Sequence, residues 1–264
     1  MLIIVQFYFK AIISYNKVMN RRNFLLLSAL SPIMAKDFLK HEDDIYLTHY
    51  DMQIAYSLKK RLKRLKRYVG YANFNIISYD RALFYGRNYS AIGAFTKDEQ
   101  HLVEKLFFSD PKEFNFYGKK TVPQLTFTVS RKDIVKIPHS GHFVYKGKPQ
   151  DDYNRIIHDV GDSLILTSGI RNVIKQLDLY LSKLKKYDGD LKQAARTIAP
   201  PAFSYHTIHD FDIGKKGWGY KNFTPAFATT EEFRKIRKLK YVGIRYTTDN
   251  KDGVRYEPWH IKVI

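Results

Sequence analysis

Apolar residues recur every three or four positions over residues 51–68, and basic residues fill most positions between them. The apolar positions are Ile54, Leu58, Leu62 and Leu65. This spacing predicts an amphipathic helix with a solvated basic face. A second helix is predicted over 95–108, because Thr96 and Glu99 form a capping box ahead of an apolar face.

Strand-like runs predict a sheet in the second half of the chain. The apolar run 163–171 ends in a small-residue turn, and helical spacing follows over 172–186. Further strands are predicted over 124–130, 132–147 (with a turn at 138–141), 204–214, 241–247 and 253–264, and a capped helix over 229–239. Helices followed by mostly antiparallel strands predict an α+β fold, with helices packed on a mostly antiparallel sheet.

Residues 19–35 have the order of an export signal: a basic pair, an apolar run and a final small residue. Their Arg-Arg-x-Phe-Leu core resembles a twin-arginine signal, and the apolar run is shorter than a membrane span of roughly 20 residues. We expect export to the periplasm or cell envelope through a Tat-like or Sec signal, with Met19 as the true start rather than Met1. The alternative is an uncleaved hydrophobic anchor over 1–35, which would be the one segment to associate with a membrane.

Charge and cysteine content narrow the classes of partner and site. The chain has 264 residues, with 45 Lys and Arg against 26 Asp and Glu and a net charge of +19. Such a charge favours polyanionic partners: nucleic acid, anionic lipid or a cell-wall polymer. The export signal and the lack of a base-reading motif argue against nucleic acid. With no cysteine, thiolate metal sites, disulfides and cysteine nucleophiles are excluded, so any metal must be held by His, Asp or Glu.

Histidines and carboxylates concentrate in two carboxy-terminal segments. His206 precedes Asp210 and Asp212 on a predicted strand, where even separations share a face, and Glu257 lies three residues before His260. A hydrolytic zinc site needs three protein ligands and a carboxylate that is not a ligand and accepts a proton from water. His206, Asp212 and His260 supply such ligands, and Glu257 is left to act as the base.

Four segments resemble, in the same order, the motifs of the zinc D-alanyl-D-alanine carboxypeptidases and dipeptidases of the VanY/VanX type. They are TSGIRNVIKQ (167–176), PPAFSYH (200–206), DFDIG (210–214) and EPWH (257–260). The family has a Ser-Gly-Tyr-Arg segment with a following Gln, a Ser-x-His-x-x-Gly-x-Ala-x-Asp segment and a Glu-x-Trp-His segment. The resemblance covers about residues 160–264 and implies a DD-peptidase/hedgehog-like fold.

The resemblance implies Zn²⁺ as the cofactor and gives roles to seven residues. The implied zinc ligands are His206, Asp212 and His260, the general base is Glu257, and the substrate-binding residues are Arg171, Gln176 and Ser204. Arg171 also counts as catalytic, because it corresponds to the arginine that faces the scissile carbonyl oxygen or the substrate carboxylate.

The sequence departs from the family pattern between the first two ligands. His206 and Asp212 are six positions apart where the family has seven, and His209 stands where glycine is usual. Asp210 therefore stays as the alternative ligand, and His209 is either an extra contact or a surface residue. His139 and His142, which flank a turn glycine, are either substrate-facing or simple loop and strand residues.

The implied function is that of an exported zinc metallopeptidase that hydrolyses peptidoglycan stem peptides with a zinc-activated water and a glutamate base, as a D-alanyl-D-alanine carboxypeptidase. The alternatives are an endopeptidase or L,D-carboxypeptidase of the same family, or a non-catalytic cell-envelope binding module. The expected division is a signal or upstream extension over 1–35, a helical and strand extension over 36–159 packed on the catalytic domain, and a zinc peptidase core over 160–264.

Overall fold

The computed structural model describes residues 45–263, and these residues lie in one compact unit. The predicted export signal and the choice of start codon fall outside the described residues. Within the described range, no helix combines the length and apolar character needed to cross a membrane. The predicted boundary between residues 159 and 160 stays a prediction.

Eight α-helices lie within residues 45–263. They are α1 (His49–Val69), α2 (Tyr71–Ile76), α3 (Tyr79–Asn88), α4 (Lys97–Phe108), α5 (Lys148–Val160), α6 (Val173–Lys186), α7 (Leu191–Thr197) and α8 (Glu231–Ile236). Short 3₁₀ helices lie at Pro111–Phe114, Arg131–Asp133, Tyr205–Thr207, Gly219–Phe223 and Pro225–Thr229.

The strands form a four-stranded sheet and a separate hairpin, both antiparallel. The hairpin consists of β1 (Ile134–Ile137) and β2 (His142–Tyr145); the sheet has the order β3–β4–β6–β5, with β3 (Leu164–Ser168), β4 (Phe211–Lys215), β5 (Gly243–Tyr246) and β6 (Glu257–Lys262). The predicted α+β fold, with helices packed on a mostly antiparallel sheet, is confirmed.

Local signals account for the helix positions. Thr96 accepts a hydrogen bond from the Glu99 backbone N–H at 3.1 Å, and the Glu99 carboxylate accepts one from the Thr96 N–H at 3.1 Å, so the predicted capping box begins α4. Helix α1 buries the predicted leucine face. Asn172 caps α6, whose strand–turn–helix entry from β3 is also as predicted. Helix α8 is capped by Thr230 and is shorter than the predicted span.

Two predicted strands are wrong in whole or in part. Residues 124–130 form a turn and irregular chain: the Asn172 side chain donates to the Phe127 carbonyl at 3.2 Å, so no neighbouring strand is needed there. The alternation of apolar and polar residues reflects an extended loop that buries every second or fourth side chain.

The strand predicted over 204–214 begins only at Phe211. The backbone N–H groups of residues 208–210 bond to the carbonyl of Tyr205 and turn the chain before it.

Two apolar clusters flank the functional region. One packs α1, α4, α6 and α7 together, and the other packs the sheet against α5 and α8; it includes Trp259 of β6. Helix α6 borders the sheet at its amino end, directly after the turn that leaves β3. Polar side chains from β3, β4 and β6 line the same cavity as residues of the first turn of α6.

Candidate metal centre and active site

His206 is held in one orientation by a backbone carbonyl. It lies in the 3₁₀ helix Tyr205–Thr207, and its Nδ1 lies 2.9 Å from the carbonyl oxygen of Gly169. Since a carbonyl only accepts, Nδ1 carries the proton and Nε2 keeps its lone pair. Burial, followed by the nearby charge of Arg171, lowers the pKa of His206 to about 4, so the ring is neutral at pH 7. The Nε2 atom lies 3.1 Å from Oδ1 of Asp212.

Asp212 lies on the central strand β4, opposite His260 of β6 in the strand register. Its side chain is almost fully buried, and burial alone would raise the pKa of the carboxyl group. The contact with His206 and the positive charge of Arg171 outweigh that cost and hold the pKa well below its ordinary value. Asp212 is therefore a carboxylate at neutral pH.

His260 is surrounded by three carboxylates. Its Nε2 donates to Oδ2 of Asp210 at 3.1 Å, while Nδ1 lies 3.5 Å from Oε2 of Glu257 and 3.7 Å from Oδ1 of Asp212. Burial opposes a charge on the ring, but the hydrogen bonds to Asp210 and Glu257 and the neighbouring carboxylates raise the pKa of His260 to about 9. So much negative charge around one imidazole marks a position suited to a cation.

One candidate ligand atom from each of His206, Asp212 and His260 lies within 4.8 Å of the others, and all three residues are buried. Each histidine bonds through one ring nitrogen to a fixed acceptor, so its second nitrogen faces the cluster. This arrangement, in which an outer acceptor fixes the ring, is typical of metal-binding histidines. Sequence reasoning put His206 on a strand, which is wrong; the turn before β4 brings it to Asp212 instead.

Asp210, the alternative ligand, faces another partner. Its two carboxylate oxygens accept from Arg245 at 2.6 and 2.9 Å, and its Oδ1 also accepts from the backbone N–H of Val263 at 3.1 Å. It contacts His260 at Nε2, on the side of the ring away from Asp212. Asp210 thus lies behind His260 rather than among the three converging side chains.

Glu257 begins β6 and lies beside the cluster without joining it. It is 8% exposed, and its Oε2 is 3.5 Å from Nδ1 of His260. Its Oε1 lies 3.9 Å from Nε of Arg255. One carboxylate oxygen therefore faces the cluster, and the residue also lines the adjoining cavity.

Arg171 links the turn after β3 to the cluster. Its Nε donates to Oγ of Ser168 at 2.8 Å, and one terminal nitrogen contacts Oδ2 of Asp212. Its carbonyl oxygen accepts from the hydroxyl of Thr207 at 2.8 Å, which ties this turn to the 3₁₀ helix of His206. The guanidinium lines the cavity and also orients Asp212. The sequence did not predict this contact between Arg171 and Asp212.

A cavity of about 390 Å³ opens beside the cluster. Its wall includes Gln176 and Ser204, both buried. The amide nitrogen of Gln176 donates to the carbonyl of Ala199 at 2.7 Å, and its buried Oε1 has no partner in the described part of the chain. The structure thus brings all seven predicted site residues to one cavity.

Further residues line the same cavity but carry no motif that sequence reasoning could use. They are Tyr71, Lys175, Lys183, Tyr246 and Arg255. His142 also lines it, whereas His139 lies in the β1–β2 turn with a positive φ of 57° and His209 is exposed beside the ring of Tyr145. The helical spacing of Lys175, Leu179 and Lys183 is a signal that could have placed the two lysines on a common face of α6.

The fold and site define an α+β domain with a buried His-Asp-His cluster and a neighbouring glutamate. Residues 154–264 match the model of the family VanY, D-alanyl-D-alanine carboxypeptidase. The predicted resemblance is thereby confirmed over these residues, which are similar to a family of hydrolases. None of the curated proteins searched matches the chain.

Solved structures similar to this chain include three vancomycin-resistance peptidases. A variant of the D,D-pentapeptidase VanY, in complex with Zn(II), is 18% identical with a TM-score of 0.39, and VanYB in complex with D-alanine-D-alanine is 19% identical with a TM-score of 0.41; each match covers 57% of this chain and 86% of the other. The D,D-dipeptidase VanXYg, in complex with a D-Ala-D-Ala phosphinate analogue, is 20% identical with a TM-score of 0.47 and covers 61% and 64%.

Proposed function

We propose that this chain is a zinc D,D-carboxypeptidase that removes the carboxy-terminal residue of peptidoglycan stem peptides outside the cytoplasm. The observation that carries the proposal is the convergence of His206, Asp212 and His260 within 4.8 Å, with Glu257 beside them. The family match of residues 154–264 supports the same reaction class. The export pattern of residues 19–35 supports the compartment.

The donor set fits zinc. Two imidazole nitrogens and one carboxylate oxygen are a ligand set found in catalytic zinc sites, which keep one position open. His206 would bind through Nε2, His260 through Nδ1, and Asp212 through Oδ1. Zinc bound there supplies Lewis acidity, which lowers the pKa of a water molecule and polarises a carbonyl oxygen.

Glu257 acts as the general base and then as the general acid. Its Oε2 accepts a proton from the attacking water and later returns it to the amine of the leaving residue. The 3.5 Å between Oε2 and Nδ1 of His260 supports this role, since it keeps the carboxylate beside the cluster. Because Glu257 begins a paired strand, its backbone is fixed and little reorganisation is required.

Arg171 holds Asp212 in place and presents positive charge to the cavity. A fixed cation near the reacting carbonyl favours the negative charge that develops on its oxygen. Gln176 adds a buried carbonyl oxygen without a partner among the described residues, which would accept a hydrogen bond from a peptide N–H. Ser204 completes this wall, next to His206.

The test is digestion of purified muropeptides, with and without crosslinks, by the zinc-loaded protein, followed by mass spectrometry of the products. The proposal predicts loss of one D-alanine from pentapeptide stems that end in D-alanyl-D-alanine. Cleavage of crosslinks instead would assign an endopeptidase, and cleavage at an L,D bond an L,D-carboxypeptidase. Binding of muropeptides with no cleavage by the zinc-loaded chain would assign a non-catalytic envelope-binding module.

A further inference from the structure

Lys175 is a buried cation without an anionic partner in the described part of the chain. It is 5% exposed, lies in the first turn of α6, and lines the active-site cavity. No hydrogen bond or ion pair joins it to any residue of 45–263. Asp178, on the same helix, forms an ion pair with Lys59 instead. An ammonium group in this position needs an anion to offset the cost of burial.

The immediate surroundings of Lys175 are positive and aromatic. Its Nζ lies 5.2 Å from the centre of the Tyr71 ring, and Nζ of Lys66 lies 5.0 Å from the same ring. Burial, then the charges of Lys66 and Arg171, lower the pKa of Lys175 to about 8 against the opposing charge of Asp178, so Lys175 remains protonated at pH 7. The charge of this wall of the cavity therefore favours an anionic ligand.

The hydroxyl of Tyr71 provides a hydrogen-bond donor at the same place. The Asn75 amide nitrogen donates to the carbonyl of Gly141 at 3.1 Å and lies 3.3 Å from Nδ1 of His142, so Nδ1 accepts and Nε2 carries the proton. That Nε2 lies 3.3 Å from the Tyr71 hydroxyl oxygen. Tyr71 therefore accepts from His142, and its own hydroxyl proton remains available to a ligand.

We propose that the ammonium of Lys175 and the hydroxyl of Tyr71 bind the carboxy-terminal carboxylate of the peptide substrate. This inference rests on the proposed function, because a carboxypeptidase must receive that carboxylate within one residue of the scissile bond. Arg171, in the turn before α6, contacts Asp212, and Lys175, four residues later, lines the same cavity.

The proposed subsite combines the family domain with the preceding part of the chain. Tyr71 and His142 both precede residue 154, where the family match begins, whereas Lys175 lies within it. Helix α2 and the β1–β2 hairpin therefore supply part of the wall that selects the substrate. Selectivity for a free carboxylate therefore depends on residues 154–264 and on the chain before them.

The experiment measures binding in the absence of turnover. The zinc-loaded Glu257→Gln protein is titrated calorimetrically with an N-acylated peptide ending in D-alanyl-D-alanine, and with the same peptide as a carboxy-terminal amide. Adding Lys175→Met should weaken binding of the acid about tenfold or more and change binding of the amide less than about twofold. Tyr71→Phe should weaken binding of the acid by a smaller factor, and Lys175→Arg should restore part of the loss.

Lys238→Met is the matched control, because Lys238 is an exposed lysine outside the cavity wall. It should leave both peptides unaffected. Equal weakening of acid and amide by Lys175→Met, or no change in either, would overturn the inference. If the wild-type protein hydrolyses no peptide but Lys175→Met still weakens binding of the acid selectively, the carboxylate subsite stands and the proposed function fails. If the wild-type protein hydrolyses the peptide but Lys175→Met leaves binding of the acid unchanged, the proposed function stands and the subsite fails. Thermal unfolding confirms that each variant is folded.

Discussion

Asp210 accepts a hydrogen bond from Nε2 of His260 at 3.1 Å, and this contact decides which ring nitrogen of His260 faces Asp212. Asp210 is itself held by Arg245 through two hydrogen bonds. A carboxylate that lies just before β4 therefore fixes the ring from behind, as acceptors behind metal-binding histidines commonly do. The two aspartates of the DFD segment have separate roles: Asp212 among the converging side chains, and Asp210 behind one of them.

The first prediction separates these two aspartates. Asp210→Asn should lower zinc affinity by roughly 10- to 100-fold while stoichiometric binding persists at high zinc, because the ring of His260 is less well oriented. Asp212→Asn should remove tight binding, since it replaces a charged ligand. Competition with a chelator of known affinity measures both. If Asp210→Asn were the more damaging change, Asp210 would be the ligand.

The second prediction concerns Glu257. Glu257→Gln should retain zinc and lower kcat by roughly 10²- to 10⁴-fold, because the amide cannot accept the proton of water. Zinc content and release of D-alanine are measured on the same preparation. Glu231→Gln, an exposed glutamate at the start of α8, is the control and should keep full activity. Full activity in Glu257→Gln would remove this residue from the mechanism.

The third prediction concerns Arg171. Arg171→Ala should lower kcat by roughly 10²- to 10³-fold, since it removes the fixed positive charge at the cavity wall. Zinc should remain bound, because the three converging side chains are retained. Arg171→Lys should recover part of the activity by restoring charge without the contact to Ser168. Loss of zinc along with activity in Arg171→Ala would instead make Arg171 a residue that mainly positions Asp212.

The fourth prediction follows from the cost of burying Lys175. Its pKa falls from an ordinary value of 10.5 to about 8, so folding disfavours the charged form. The resulting penalty is fully present below pH 8, shrinks between pH 8 and 10.5, and is absent above that range. Lys175→Met should therefore raise the free energy of unfolding at pH 7, by up to about 3 kcal/mol.

Urea unfolding of the wild type and of Lys175→Met between pH 7 and 10 measures this difference, and it should narrow as the pH rises. Lys238→Met is the control, because Lys238 is exposed. A variant that is less stable than the wild type at pH 7 would mean that the protein already supplies an anion to Lys175.

Sequence reasoning predicted those elements whose signals are local. Thr96 and Glu99 specified the start of α4 by themselves, and the leucine face of residues 51–68 specified α1. The run 163–171 and the helical spacing over 172–186 gave the correct strand, turn and helix. The family motifs identified residues that meet at the cavity. In each case the information lies within a few neighbouring positions of the chain.

The wrong predictions depended on contacts between distant segments. The loop 124–130 alternates like a strand, but Asn172, more than forty positions away, bonds to its backbone. His206 reaches Asp212 through a turn that bonds to the Tyr205 carbonyl, and periodicity does not reveal such a turn. Tyr71, His142 and Lys175 form one wall only after α2, the hairpin and α6 have packed together.

The central claim is that His206, Asp212 and His260 together bind a single zinc ion. Elemental analysis of the purified protein, with His206→Ala, His260→Ala and the exposed-residue control His209→Ala, tests it most directly. The wild type and His209→Ala should each carry about one zinc per chain, and the other two variants should carry little. Wild-type zinc content in folded His206→Ala or His260→Ala would contradict the claim.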